Sequence, residues 1–265
     1  MSGVQMSLLS WTVLALLLSA GTSLGHVDVK WLTKTVEIIR TRYTERGQFC
    51  AAVKIPGNLV NQLNQLNQDL EAVLSHDTDA EMQESFNENE AFYDGDSVVA
   101  AKPYGDHAEY SVLKHIMDEW KNERTDNFLL IYTYLSPCSD RCADKDGKKH
   151  ILEFIDFMTS WGKEYALVFQ KPYSERTRNS GNRRSNPEDE LKKALTAIAD
   201  VIGDQYIFRC YKPESGPFHC IRCFSETKDI VDECYETNQE TPSAKRAHSP
   251  DSGSQTDSDV KKRKS

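Results

Sequence analysis

His107, Glu109, Cys138 and Cys142 are the residues of this chain whose types and spacing can do chemistry together. An imidazole and two thiols make a ligand set that holds a catalytic zinc through three protein donors and leaves a fourth position for water. The carboxylate lies two residues after the imidazole in Asp106-His107-Ala108-Glu109. The thiols stand four apart in Ser136-Pro137-Cys138-Ser139-Asp140-Arg141-Cys142. Glu109 is left off the metal, free to carry protons. A structural zinc site needs no such carrier and normally has a fourth protein ligand, so the set points to hydrolysis.

The two motifs need particular local structures. Residues i and i+2 of a helix point roughly 200° apart, so His107 and Glu109 converge only if His107 sits at a helix start, with Asp106 as cap. The same letters also fit a capping box, in which Glu109 merely reaches back to Asp106. Ser136-Pro137 reads as a second helix start, Ser as cap and Pro in the first position. On that helix the cysteines would share a face and its positive end would favour thiolates. Buried free thiols or a disulfide are the alternatives, although cysteines one turn apart on a helix are poorly placed to bridge.

The elements that must position these groups follow from hydrophobic spacing. Val29, Trp31, Leu32, Val36, Ile39 and Tyr43 predict a helix over 27–46 that ends at Gly47. Residues 49–55 read as a strand stopped by Pro56-Gly57. Leu59, Leu63, Leu66, Leu70 and Val73 predict a second amphipathic helix. Residues 77–96 carry eight acidic side chains and no basic one, the composition of a solvated loop. Then come a strand at 97–102, a turn at 102–105, and a helix at 107–121 that buries Val112, Leu113, Ile116, Met117 and Trp120. The apolar run 128–135 suits a strand covered on both faces. A helix resumes over 148–161, a strand follows at 165–169, a helix at 187–202 and a strand at 206–211. A helix between the last two strands forces them parallel. The expected fold is a three-layer α/β sandwich with a mixed central sheet of about five strands, the last ones parallel, and helices on both faces. Both motifs fall where strand gives way to helix, the end of such sheets where ligands bind.

At 265 residues the chain has room for one ordinary domain with extensions. We read 1–25 as a signal peptide, 26–236 as the domain and 237–265 as a disordered charged tail. The first 25 residues carry no charge, and 8–18 are apolar apart from Ser10 and Thr12. That run suits a signal-peptide core and is too short for a membrane span of about 20 residues. Ser23 and Gly25 permit cleavage before His26, so the mature chain is expected to be secreted without membrane insertion. The cluster Lys261-Lys262-Arg263-Lys264 resembles a nuclear-import patch, the alternative address. A net charge of −9 argues against coating nucleic acid along the whole surface, while leaving local patches open. If Cys138 and Cys142 hold metal, Cys50, Cys210, Cys220, Cys223 and Cys234 remain, so two disulfides would leave one thiol over. His219-Cys220-x-x-Cys223 with Cys210 and Cys234 would also suit a structural zinc, but the signal peptide favours disulfides. Cys50 is able to pair with any of the other four.

His-x-Glu followed after about 27 residues by Pro-Cys-x-x-x-Cys is similar to the zinc deaminase signature, whose Glu is general acid and base and not a ligand. With the helix between its last two strands, the chain resembles the zinc-dependent cytidine deaminase superfamily over roughly residues 49–211. It is most like the AID/APOBEC-type members, including their secreted vertebrate relatives. The resemblance implies hydrolytic removal of the exocyclic amine of cytosine to give uracil. Zinc on His107, Cys138 and Cys142 would lower the pKa of its water toward 7. Glu109 would take that proton, pass it to the ring nitrogen and help ammonia leave. The Ala108 backbone and the Ser136 carbonyl would contact the base edge. In relatives the loop after the strand at 165–169 contacts a neighbouring nucleotide. Here it begins Gln170-Lys171-Pro172-Tyr173 and continues through Arg176, Arg178, Arg183 and Arg184, suited to tracking a phosphate backbone and stacking a base. Lys171, Tyr173 and Arg176 are therefore candidate substrate contacts, with an ordinary solvated loop as the alternative.

The chain departs from that pattern in three places. Three residues separate its cysteines where many relatives have two, Leu135 stands where relatives often carry Trp, and about 40 residues divide the strands of the first hairpin. The expected substrate is single-stranded DNA or RNA, with an immune-defence role against pathogens, since a cytosine amine must leave a duplex stack to react. A free cytidine or nucleotide is the alternative substrate. A non-catalytic secreted binding module stapled by zinc is the reading of another class.

Overall fold

The computed structural model describes residues 27–43, 47–88, 91–121, 126–161, 164–173 and 186–236. The proposed signal peptide, Arg176, Arg178, Arg183, Arg184 and the tail from 237, with its basic cluster, lie outside the described residues. Strands β1 (Cys50–Ile55), β2 (Phe92–Asp94), β3 (Val98–Ala101), β4 (Phe128–Leu135), β5 (Tyr165–Lys171), β6 (Ile207–Tyr211) and β7 (His219–Arg222) form one sheet in the order β2-β3-β1-β4-β5-β6-β7. The β4–β5 and β5–β6 pairs are parallel and the others antiparallel. The expected mixed α/β architecture is present. The sheet is wider than expected because β2 and β7, three and four residues long, are too short to show a period in sequence.

Alternation along the strands feeds two cores. Ala51, Val53, Leu130, Tyr132, Val168 and Phe208 meet helices α1 (Val29–Arg42), α2 (Leu66–Val73) and α3 (Asp79–Glu88) through Trp31, Leu32, Leu70 and Met82. On the other face Ala52, Leu129, Ile131, Leu167 and Phe169 meet α4 (Ala108–Trp120), α5 (Leu152–Ile155), α6 (Phe157–Trp161) and α7 (Pro187–Ile202). Short α8 (Asp232–Tyr235) closes the described chain. Asp28 caps α1 by accepting from Lys30 N and Trp31 N, and Asn186 caps α7 by accepting from Glu188 N. Among the described residues no helix is long and apolar enough to cross a membrane.

Several expectations are corrected. The acidic stretch is not all loop: it holds α3 and β2. Thr78 and Glu81 form a reciprocal capping box at 3.0 and 3.2 Å, and Met82 and Phe86 turn inward while other residues of the helix stay in solvent. The helix expected across Leu59 to Val73 starts only at Leu66. Asn61 and Gln65 take left-handed conformations that interrupt its register, and Leu63 is left 51 % exposed. The helix expected over 148–161 starts at Leu152. Disulfides join Cys210 to Cys220 and Cys223 to Cys234, and Cys50 is the odd thiol, free and buried in β1. The first bridge links directly paired residues of β6 and β7, and Cys220 N donates to Thr33 Oγ1 of α1 at 3.0 Å. One sheet edge is thereby tied to the N-terminal helix.

The other edge depends on Asp77, which is sealed from solvent. It accepts from Tyr93 Oη at 3.0 Å and from Ser97 N at 2.9 Å. A Cβ on Gly95 would stand 1.9 Å from Asp77 Oδ1 and 2.5 Å from Tyr93 Oη. Gly95→Ala is therefore expected to cost about 1–3 kcal/mol as an overpacked site, read as a lower midpoint in urea unfolding.

Candidate metal centre

After β3 the chain turns sharply, with Gly105 at φ +70°, a left-handed conformation that costs glycine little. His107, not Asp106, is the N-cap of α4, with extended backbone at φ −72° and ψ 143°. Asp106 instead pairs with Lys149. Because His107 stands outside the helix and Glu109 in its first turn, both line one cavity, and the 200° divergence of regular helix positions does not apply. The capping-box alternative for Glu109 is not what forms. Its Oε1 accepts from Gln48 Nε2 at 2.7 Å and from Thr133 Oγ1 at 2.8 Å, and the residue is 3 % exposed.

The second motif folds differently from its expected helix. Ser136 N donates to Lys171 O and Ser136 Oγ accepts from Tyr173 N, both at 2.8 Å. Both groups are used to extend the β4–β5 pairing, so Ser136 caps nothing and residues 139–142 form turns. Ala143 N bonds Cys138 O at 3.0 Å and Ile151 N bonds Cys142 O at 2.8 Å. This fold-back brings the two sulfurs to 3.4 Å, while His107 Nδ1 lies 3.1 Å from Cys142 Sγ and 3.6 Å from Cys138 Sγ.

The electrostatics follow from those contacts and not from a helix dipole. The hydrogen bond with Cys142 holds the Cys138 thiol down to about 5, helped by His107 and opposed by burial. The same bond, with burial, pushes Cys142 well up. The bond to Cys138 raises His107. Burial raises Glu109, against opposing hydrogen bonds from its own backbone N–H and from Thr133. The sulfur pair thus shares a proton that a bound cation would replace.

The donors suit zinc. Zn–S and Zn–N bonds of about 2.3 and 2.0–2.1 Å in a tetrahedron separate sulfur from sulfur by about 3.8 Å and sulfur from nitrogen by about 3.5 Å. The observed 3.4, 3.1 and 3.6 Å are within a few tenths of an ångström of those separations. The three ligand atoms lie within 4.8 Å of one another.

Beside the cluster is a cavity of about 140 Å³, well below the 300–1,000 Å³ of drug-sized pockets and suited to a single ring. Pro103, Leu135 and Tyr173 give it apolar wall, and Ser136 also lines it. Of the other candidate contacts, Ala108 is wholly buried and Lys171 is exposed with its ammonium 5.2 Å from the Tyr134 ring. Neither is among the lining residues. The loop at 102–107 also borders an open groove of about 620 Å³ whose lining includes Lys102, Tyr104 and Lys114. Tyr104 is 62 % exposed there. Sequence reading missed Gln48 and Thr133. Thr133 had a signal, as the sole hydroxyl on an aliphatic carbon in the apolar run 128–135. Gln48 had none.

One cavity of a mixed α/β sheet thus carries a His/Cys/Cys cluster and a sealed carboxylate. The sequence model of one family, Secreted Novel AID/APOBEC-like Deaminase 1, matches residues 29–238, and the chain belongs to that family. No curated protein matches it, and no solved structure does.

Proposed function

We propose that this protein is a zinc-dependent hydrolase that converts cytosine and water to uracil and ammonia, on single-stranded DNA or RNA, as a secreted defence protein. The observation that carries this is that Glu109 lines the same small cavity as His107, Cys138 and Cys142. Zinc held by those three ligands would supply a Lewis acid that makes water nucleophilic near neutral pH. Glu109 takes one proton from the attacking water and delivers it to the ring nitrogen, then takes the remaining proton from the newly added hydroxyl and gives it to the amine, which leaves as ammonia. Gln48 and Thr133 hold its Oε1 while this happens. Leu135, Pro103 and Tyr173 enclose the ring, Ser136 offers its carbonyl to the base edge, and the Ala108 backbone contacts that edge at the start of α4. Lys171 and Arg176 serve flanking phosphates.

A polynucleotide substrate is supported by exposed Tyr104, a stacking face in the groove that shares a loop with the cavity, where Lys102 and Lys114 stand alongside Asp106 and Asp118. Base stacking on such aromatics contributes about 1–3 kcal/mol per base. The word secreted in the family's name and the apolar N-terminal run support export, with the mature domain beginning at residue 26. The test is to incubate zinc-loaded protein with cytidine, cytosine-containing RNA and single-stranded DNA, and to measure uracil. Uracil from a polynucleotide supports the reading, turnover of cytidine alone moves the substrate to a free nucleoside, and no uracil from any of them refutes the reaction.

A further inference from the structure

We propose that Gln48 is a positioning residue that clamps Glu109 by one of its carboxylate oxygens and so fixes the carboxylate for proton transfer. This deepens the reading of Glu109 as proton carrier and rests on it. The clamp begins with strand register. β1 and β4 pair antiparallel with Cys50 opposite Thr133, so Gln48, two residues before Cys50, falls opposite Leu135, two residues after Thr133. Phe49 O still accepts from Tyr134 N at 3.0 Å. One residue on, where an antiparallel ladder makes no backbone bond between the strands, the Gln48 side chain supplies one: its Oε1 accepts from Leu135 N at 2.8 Å.

That contact gives the carboxamide a direction. A backbone N–H only donates, so the Gln48 oxygen must face Leu135 and the Gln48 NH₂ must face Glu109. A flipped amide would set NH₂ against N–H and oxygen against carboxylate, losing two hydrogen bonds. Nε2 therefore donates to Glu109 Oε1 at 2.7 Å, where Thr133 Oγ1 also lies at 2.8 Å. Gln48 and Thr133 thus grip the carboxylate through Oε1. The residues involved come from three places, the segment before β1, the end of β4 and the first turn of α4. Clamp and cavity are continuous, since Gln48 itself lines the cavity.

Gln48→Met keeps the length and loses both bonds. Gln48→Glu keeps an acceptor for Leu135 N but turns an oxygen toward Glu109. Each is expected to lower kcat at least tenfold and leave KM within about threefold, with zinc content equal to that of the unaltered protein. Because a hydrogen bond to an ionised group contributes about 1.5–3 kcal/mol, Gln48→Met and Glu109→Ala should be coupled at least tenfold in the unfolding equilibrium constant of the zinc-loaded chain. An unchanged kcat in Gln48→Met, a loss confined to KM, or additive effects on unfolding would overturn the clamp. If the unaltered protein makes no uracil from any substrate, the proposed reaction fails by itself. The unfolding cycle then decides: coupling keeps Gln48 as the residue that holds Glu109, and additivity removes it.

Discussion

Glu109→Gln is expected to lower uracil formation by about 10²–10⁴-fold, the range for loss of a general acid and base, while the protein stays folded. Glutamine matches glutamate in shape and leaves a carbonyl oxygen to accept from Gln48 and Thr133, but it cannot take up and release a proton. Stability should hold or rise. Glu109 is 3 % exposed and burial is the main influence raising its pKa, so its charged form is costly here, and removing a buried ionisable group relieves that cost. Such a gain in stability with loss of function is common where an active site holds strained or desolvated groups. The measurements are single-turnover uracil release and the denaturation midpoint of the same preparation. Equal rates for both proteins would remove Glu109 from the chemistry. A variant that fails to fold would make its role structural.

Cys138→Ser is expected to abolish zinc binding, turnover and the response of the fold to metal together. The hydrogen bond with Cys142 and the contact with His107 hold the Cys138 thiol down to about 5, so it meets a cation largely as thiolate; a serine hydroxyl remains protonated and is a poor zinc ligand. A ligand present at 1,000 times its Kd stabilises a fold by about 4.1 kcal/mol, so chelation should lower the Tm of the unaltered protein by many degrees and leave that of Cys138→Ser unmoved. His107→Ala should behave in the same way. Cys50→Ala is the control, since Cys50 is buried in β1 apart from the ligand cluster, and it should retain one zinc per chain by elemental analysis. A full zinc content in Cys138→Ser would refute the ligand set. Zinc lost without any change in the chelation response would show that the metal does not support the fold.

Much of this protein could be read from local pattern. The helices α1, α4 and α7 and the strands β1 and β4–β6 are long enough for hydrophobic period to declare them, and side-chain period is a property of the backbone geometry alone. The candidate ligands His107, Cys138 and Cys142, with Glu109 as candidate proton carrier, could be proposed from sequence because donor chemistry belongs to the residue and not to its surroundings, and the structure brings them to one cavity. The edge strands β2 and β7 were not, since a few residues carry no period, and α3 was hidden because its acidic outer face outweighed Met82 and Phe86 in composition. The helix read from Ser136-Pro137 failed for a different reason: both polar groups of Ser136 had better partners on β5, and those partners are distant in sequence. Pairing between Cys210 and Cys220, the convergence of three ligand atoms, and the grip of Gln48 on Glu109 were likewise decided by tertiary structure. Each depends on which strand lies beside which and in what register, and that is set by burial of both sheet faces at once, not by any single stretch of the chain.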